Sequence, residues 1–387
     1  MTPFIPYGRQ SITQPDIAAV VKVLQSDWLT QGPTVPAFEQ AVATMCSANH
    51  GVAVNSATSA LHIACLALGL QPGYRLWTVP NTFVASANCG RYCGAEVDFV
   101  DIDPQTYNLS IPALEKKLAI AREGGNLPQV LIPVHFAGQS CEMAKIYALS
   151  QEYGFRIIAD ASHAVGAEYQ GEPVGNGRYS DITVFSFHPV KIITTGEGGM
   201  AVTNDPDLAE KMGRLRTHGI TRDPDLLSGK LQGDWVYEQI DLGFNYRMTD
   251  IQAALGISQL ERLPDFVARR RQLAAQYNYL LADMPLVLPW QHPDTLSSWH
   301  LYVVQVKESA KLNRQELFAA LRRSGIGVQV HYIPVHLQPD YQRLGFREGD
   351  FPVAEAYYGR AISLPMYPEL TDADQLRVVE ILGQVLG

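Results

Sequence analysis

Three short stretches hold side chains that could act together on a small molecule. The first is Asn55-Ser56-Ala57-Thr58-Ser59, between an expected strand (51–54) and the helix that follows. A helix start leaves backbone N–H groups open, and its dipole favours an anion. A phosphate fits there, although the same residues would also serve as a plain N-cap. The second is Asp160-Ala161-Ser162-His163, directly after an apolar strand (155–159). A carboxylate at a strand tip is either a ligand group or one satisfied by the N–H groups of its own turn. The third is Ser186-Phe187-His188-Pro189-Val190-Lys191, which runs into Ile192-Ile193-Thr194-Thr195-Gly196-Glu197-Gly198-Gly199. Most lysines lie on the surface, but a lysine in a confined site can lose its proton and attack a carbonyl. No GxxxxGK[ST] phosphate loop is present.

Taken jointly, the three stretches offer an anion site, a carboxylate and a nucleophilic amine. Pyridoxal 5′-phosphate (PLP) requires all three. Its phosphate would sit on the helix start within the first stretch. Its ring nitrogen would face Asp160, and its aldehyde would condense with Lys191.

These residues need a scaffold of alternating strands and helices. Strands are expected at 51–54, 75–80, 96–100, 129–134, 155–159, 182–187 and 200–203. Helices are expected at 56–68, 111–121, 143–153 and 208–217. That alternation implies an α/β fold, a mostly parallel sheet covered on both faces. Ligands of such sheets sit at the carboxyl ends of the strands. An N-terminal helix capped by Thr13 with Asp16 is expected to end near residue 25. A long helix over 249–283, broken or kinked at Pro264, leads to a small C-terminal α/β domain. That domain would hold strands at 299–306 and 328–331 and helices at 314–324, 352–361 and from 372. We expect an N-terminal arm and large PLP-binding domain over 1–250, and a linking helix and small domain over 251–387.

Composition limits the alternatives. The 387 residues carry a net charge of −9, and 18% are charged, against about 25% in an average soluble protein. From residue 40 to 90 the single Asp, Glu, Lys or Arg is Arg75. Polar groups interrupt that stretch, so it is too short in apolar run for a membrane span. The acidic balance argues against a nucleic-acid partner. The five cysteines form no CxxC pair and read as free thiols in a reducing cytoplasm, with no metal site. No basic-then-apolar leader is visible, so a cytoplasmic location is expected.

The chain resembles the sugar aminotransferases of the DegT/DnrJ/EryC1/StrS family, of aspartate-aminotransferase (type I) fold. The resemblance is carried by Asn55-Ser56-Ala57-Thr58-Ser59-Ala60-Leu61, by Asp160-Ala161-Ser162-His163-Ala164 and by Ser186 through Lys191. Gly243-Phe244-Asn245-Tyr246-Arg247-Met248 adds to it. It implies that Lys191 binds the cofactor and shuttles protons, and that Asp160 pairs with the ring nitrogen. It also implies that His163 lies near the ring and its phenolic oxygen. Ala57, Thr58 and Ser186 would hold the phosphate. Read alone, Phe83 is a core residue and Asn245 a turn residue. The resemblance instead makes Phe83 a stacking partner, and lets Asn245 reach the cofactor of a second subunit in a homodimer.

A narrower similarity is to aminotransferases of the pseudaminic-acid pathway. It rests on Ser26-Asp27-Trp28-Leu29-Thr30-Gln31-Gly32-Pro33, on Leu215-Arg216-Thr217-His218-Gly219-Ile220 and on Val330-His331-Tyr332-Ile333-Pro334-Val335-His336. It implies transfer of the amino group of L-glutamate, leaving 2-oxoglutarate. The acceptor would be C4 of UDP-2-acetamido-2,6-dideoxy-β-L-arabino-hexos-4-ulose. Sugar-nucleotide contacts are then expected at Tyr7, Asp27, Trp28, Leu29, Thr30, Ala57, Ser186, Asn245, His331, Tyr332, Ile333 and Pro334. A bacillosamine-type 4-keto sugar is the main competing acceptor. Sugar dehydratases of this fold carry histidine in place of the lysine, so Lys191 argues against that reaction. A non-catalytic scaffold would be expected to lack Lys191 or Asp160.

Overall fold

The computed structural model describes residues 3–228 and 233–387. Residues 1–2 of the expected arm and 229–232 of the expected large domain lie outside the described residues. Seven strands build the main sheet: β1 (His50–Val54), β2 (Arg75–Thr78), β3 (Glu96–Phe99), β4 (Val130–Leu131), β5 (Arg156–Asp160), β6 (Ile182–Ser186) and β7 (Gly199–Thr203). Their spatial order is β1-β7-β6-β5-β4-β2-β3. Every pairing from β6 through β3 is parallel, and β7 runs antiparallel to both of its neighbours. The alternation therefore gives the mostly parallel α/β sheet expected from sequence. β6 and β7 are buried at every position, as in sheets covered on both faces.

Two helices bear directly on the cleft. α3 (Ala57–Ala67) follows β1, and Ser56 caps it by accepting the Ser59 N–H at 3.2 Å. α4 (Ala85–Tyr92) lies between β2 and β3. The sequence reading has no helix there. Its residues are small and polar, with Asn88, Cys89 and Gly90 and no apolar stripe, so the periodic signal is absent. Packing supplies what propensity does not. Gly90 sits so close to β2 that a Cβ would come within 3.1 Å of the Leu76 side chain.

The expected long helix is two helices, α8 (Asp250–Glu261) and α9 (Leu263–Leu280). The break falls at Arg262 because Pro264 occupies the first turn of α9, where a missing N–H is tolerated. Beyond them β8 (Leu286–Val287), β9 (Tyr302–Val306) and β10 (Ala361–Leu364) form an antiparallel sheet in the order β8-β9-β10. The strand expected at 328–331 is instead an isolated bridge, Gln329 to Ser363. The third strand comes from the segment where a helix was expected to end. Residues 361–364 are entirely buried between apolar neighbours, so burial wins over helix continuation. Ile5 joins the core of this smaller sheet, bonding to Gly325 and Gly327. Among the described residues no helix is long and apolar enough to cross a membrane.

The N-terminal helix α1 (Gln14–Leu24) docks on α8 through one carboxylate. Asp16 is fully buried. It accepts from the Thr13 N–H at 2.7 Å and the Ser258 hydroxyl at 2.8 Å, and it pairs with Arg262. Burial pushes its pKa up, but the bonds from Thr13, Ser258 and Gln259 outweigh it and hold it below the ordinary 3.8. The native value lies below the unfolded one. Its contribution is therefore complete above about pH 4 and fades as pH falls through the native value. Asp16→Ala strands Arg262 and three donors, and is expected to cost about 3 kcal/mol. Urea unfolding at pH 7 and pH 3 checks this. The two chains should differ clearly at pH 7 and less at pH 3.

Candidate active site

A cleft of about 830 Å³ opens at the carboxyl ends of the parallel strands. Each element delivers one group to it. β5 ends at Asp160, β6 ends at Ser186, and the turn after β6 carries Lys191. The start of α3 brings Ala57 and Thr58, and the loop after β2 brings Phe83. Tyr7, His163, His331 and Tyr332, also expected from sequence, line it as well.

The α3 end leaves backbone donors open toward the cleft. Ala57 and Thr58 are its first two residues, and their N–H groups bond to nothing among the described residues. Gly199, the first residue of β7, presses against this turn. A Cβ there would lie 2.5 Å from the Ala57 nitrogen and the Ser56 carbonyl carbon. Ser186 pairs with Gly199 across the sheet, which places its hydroxyl beside the same turn.

Lys191 lies between donor and acceptor groups without pairing. Its Nζ makes no hydrogen bond or ion pair among the described residues. Burial pushes the amine down from 10.5 to about 8, opposed by the negative charge of Asp160. At pH 7 this raises the uncharged fraction about 300-fold. Asp160 is buried and accepts from the Ser86 hydroxyl at 2.7 Å and the Ser162 N–H at 3.0 Å.

His163 is held neutral. Burial lowers its pKa well below 6.5, and the positive charge of Lys191 lowers it further. Its Nδ1 faces the Ala137 N–H at 3.3 Å, so Nδ1 accepts and the proton sits on Nε2. Nε2 then donates to the Tyr332 hydroxyl at 3.1 Å. Phe83 is 59% exposed on the cleft wall, 6.4 Å from the Tyr332 ring. It is therefore not the core residue its type alone suggests.

Other expected residues lie elsewhere. Asp27, Trp28, Leu29 and Thr30 form an exposed segment outside the cleft, tied to α8 by the Leu29 carbonyl and the Thr30–Thr249 bridge. Asn245 is exposed and bridges to Thr217. Ile333 points outward and Pro334 is buried; neither lines the cleft. Conversely Asn55, Thr82, Ser86, His188, Glu197 and Gln252 line it without having been singled out. Thr82 lies in the loop before α4 and Ser86 in its first turn, so no local periodicity links them.

These groups suit PLP: open N–H groups for a phosphate, an unpaired amine, an anchored carboxylate and an exposed aromatic wall. Comparison with known proteins agrees. Residues 10–383 match the model of the DegT/DnrJ/EryC1/StrS aminotransferase family. The chain belongs to that family. It is 40% identical to the spore coat polysaccharide biosynthesis protein SpsC of Bacillus subtilis, over 99% of this chain and 97% of that one. PseC of Helicobacter pylori, an aminotransferase involved in the biosynthesis of pseudoaminic acid, superposes with a TM-score of 0.89. The identity is 31%, over 99% of both chains. Spr1654 of Streptococcus pneumoniae in its PMP form gives a TM-score of 0.90 at 30% identity, covering 98% of each chain. Its PLP form also superposes. The protein is a PLP-dependent sugar aminotransferase, with the type I fold of its neighbours.

Two outcomes are expected. In the cofactor-free protein, an amine-selective reagent should label Lys191 with a pH midpoint near 8, followed by peptide mass spectrometry. Asp160→Asn should lower that midpoint, because the carboxylate charge favours the ammonium form. Gly199→Ala should weaken PLP binding about tenfold in a fluorescence titration and destabilise the fold by about 1–3 kcal/mol, the usual cost of overpacking.

Proposed function

We propose that the enzyme moves the amino group of L-glutamate to C4 of UDP-2-acetamido-2,6-dideoxy-β-L-arabino-hexos-4-ulose. The products are 2-oxoglutarate and UDP-4-amino-4,6-dideoxy-N-acetyl-β-L-altrosamine. The observation that carries the reaction type is the unpaired Lys191 amine beside the anchored Asp160. The choice of sugar is supported by the full-length likeness to PseC and by the motifs around Trp28 and Tyr332.

PLP supplies a carbonyl that accepts the amino group and a ring that withdraws electrons. The chain does the rest. Lys191 Nζ takes the proton from Cα of glutamate, and in the second half-reaction delivers one to C4 of the sugar. Asp160 would hold the ring nitrogen as a cation, and Phe83 would stack on the ring. Ala57, Thr58 and Ser186 would hold the phosphate. Neutral His163 keeps the Tyr332 hydroxyl in place at the wall.

We also read the enzyme as a homodimer with shared sites. Asn245 faces away from its own cleft, and Trp28, Leu29, Trp235 and Leu242 are large exposed apolar side chains. A second copy would cover such surface. Asn245 would then reach the phosphate in the neighbouring site, while Asp27 through Thr30 would meet the sugar nucleotide. The five unpaired cysteines suit a reducing cytoplasm.

Incubation with L-glutamate and each UDP-4-keto-6-deoxy-GlcNAc epimer, with release of 2-oxoglutarate measured, tests the sugar. The L-arabino epimer should turn over at least tenfold faster. Preference for the D-xylo epimer would instead favour the bacillosamine-type reading. Lys191→Ala should abolish turnover and leave no covalently reducible cofactor. Hybrids of Lys191→Ala and Asn245→Ala subunits should keep one competent site per dimer, as activity of the purified heterodimer would show.

A further inference from the structure

Asp160 could be held by any donor, but the one that reaches it from α4 belongs to a chain of hydroxyls. Ser86 is buried and its Oγ lies 2.7 Å from Asp160 Oδ2. A carboxylate only accepts, so Ser86 donates. The Phe83 carbonyl is a second possible acceptor, but at 3.4 Å and uncharged it is the weaker one. With its single proton committed to Asp160, Ser86 must accept in its 2.8 Å contact with Thr82. Thr82 Oγ1 is therefore the donor. It too is buried, and both side chains border the cleft. The direction runs Thr82 to Ser86 to Asp160.

We propose that Ser86 is the positioning residue for Asp160, and that Thr82 strengthens its grip by polarising its hydroxyl. Each carboxylate oxygen then has one fixed donor, Ser86 on Oδ2 and the Ser162 N–H on Oδ1. Neither donor is a cation, so the carboxylate keeps its charge available to the cleft. Hydrogen bonds in series reinforce one another, which makes the Ser86 bond stronger than an isolated serine would give.

This inference rests on Asp160 facing the cofactor ring nitrogen, and the experiment separates the two. Ser86→Ala, Thr82→Val and Asp160→Asn are prepared as PLP-loaded proteins. The pH midpoint of the bound cofactor's absorbance change is read for each. A ring nitrogen less firmly held as a cation leaves the cofactor's other protons more tightly bound, so the midpoint rises. Asp160→Asn should raise it by a full pH unit or more. Ser86→Ala should raise it by about half a unit, and Thr82→Val by less, following a weakened charge-assisted bond. In the half-reaction with glutamate, Ser86→Ala should lower the rate constant about tenfold and change the half-saturating glutamate concentration less than twofold. If Asp160→Asn moves the midpoint and neither hydroxyl variant does, the positioning role is overturned. If Asp160→Asn itself moves nothing, the Asp160 assignment fails first. Thermal melting of the three cofactor-free proteins shows whether Ser86→Ala folds. Where it does not, Thr82→Val, which keeps the side-chain shape, decides.

Discussion

A half-buried lysine and a buried carboxylate share one cleft here and do not pair. Had Lys191 and Asp160 formed an ion pair, each would have fixed the other's charge. The amine would remain an ammonium, useless as a nucleophile or base near neutral pH. The chain avoids this by giving Asp160 neutral donors, Ser86 and Ser162, and giving Lys191 none. The amine then feels burial more than the carboxylate's charge, and falls to about 8. Strand geometry maintains the separation. Asp160 ends β5 and Ser186 ends its parallel neighbour β6, so Lys191 enters from the next turn rather than from the same edge.

The same economy of charge shapes the α3 end of the cleft. The segment from residue 40 to 90 has one charged side chain, yet it contributes the start of α3, Phe83, Thr82 and Ser86. A dianion can be held by oriented N–H groups and hydroxyls because the helix dipole adds a partial positive charge without a desolvated cation. Lysines or arginines there would raise a second problem. They would pull Asp160 into pairing and lower the Lys191 amine still further. A charge-poor wall leaves both groups to respond mainly to each other and to burial.

How much of this the sequence reveals depends on whether the signal is local. The meeting of Lys191, Asp160 and the α3 start in one cleft was readable because each sits in a contiguous motif at a strand tip. The strands around them were readable from apolar runs. α4 was not, because its residues are small and polar, and only contact with α3 and β2 makes them a helix. That omission hid Ser86, and with it the Thr82 hydroxyl that contacts it. Likewise β10 is strand by virtue of burial between β9 and the rest of its sheet, a tertiary effect that local propensity does not carry. Asn245 and Trp28 differ again. Their motif is local, yet the chain leaves both exposed outside the cleft, so their expected roles rest on the proposed second copy.

The aromatic and imidazole wall follows from the central constraint. His163 and His300 sit far below their ordinary pKa, and His331 falls to about 3, each chiefly through burial. Lys191 lowers all three a little further. Kept neutral, they add no positive charge to compete with the amine. They also keep their N–H groups as directed donors, as His163 does toward Tyr332. Burial and the charge of Asp160 push the Tyr332 hydroxyl up, so it stays protonated. The interior wall is thus fixed in one protonation state across the neutral range. In the cofactor-free cleft, the pH response between 7 and 9 then belongs to Lys191 rather than to the buried histidines. That is the condition under which a single lysine can both hold a carbonyl and carry protons between substrate atoms.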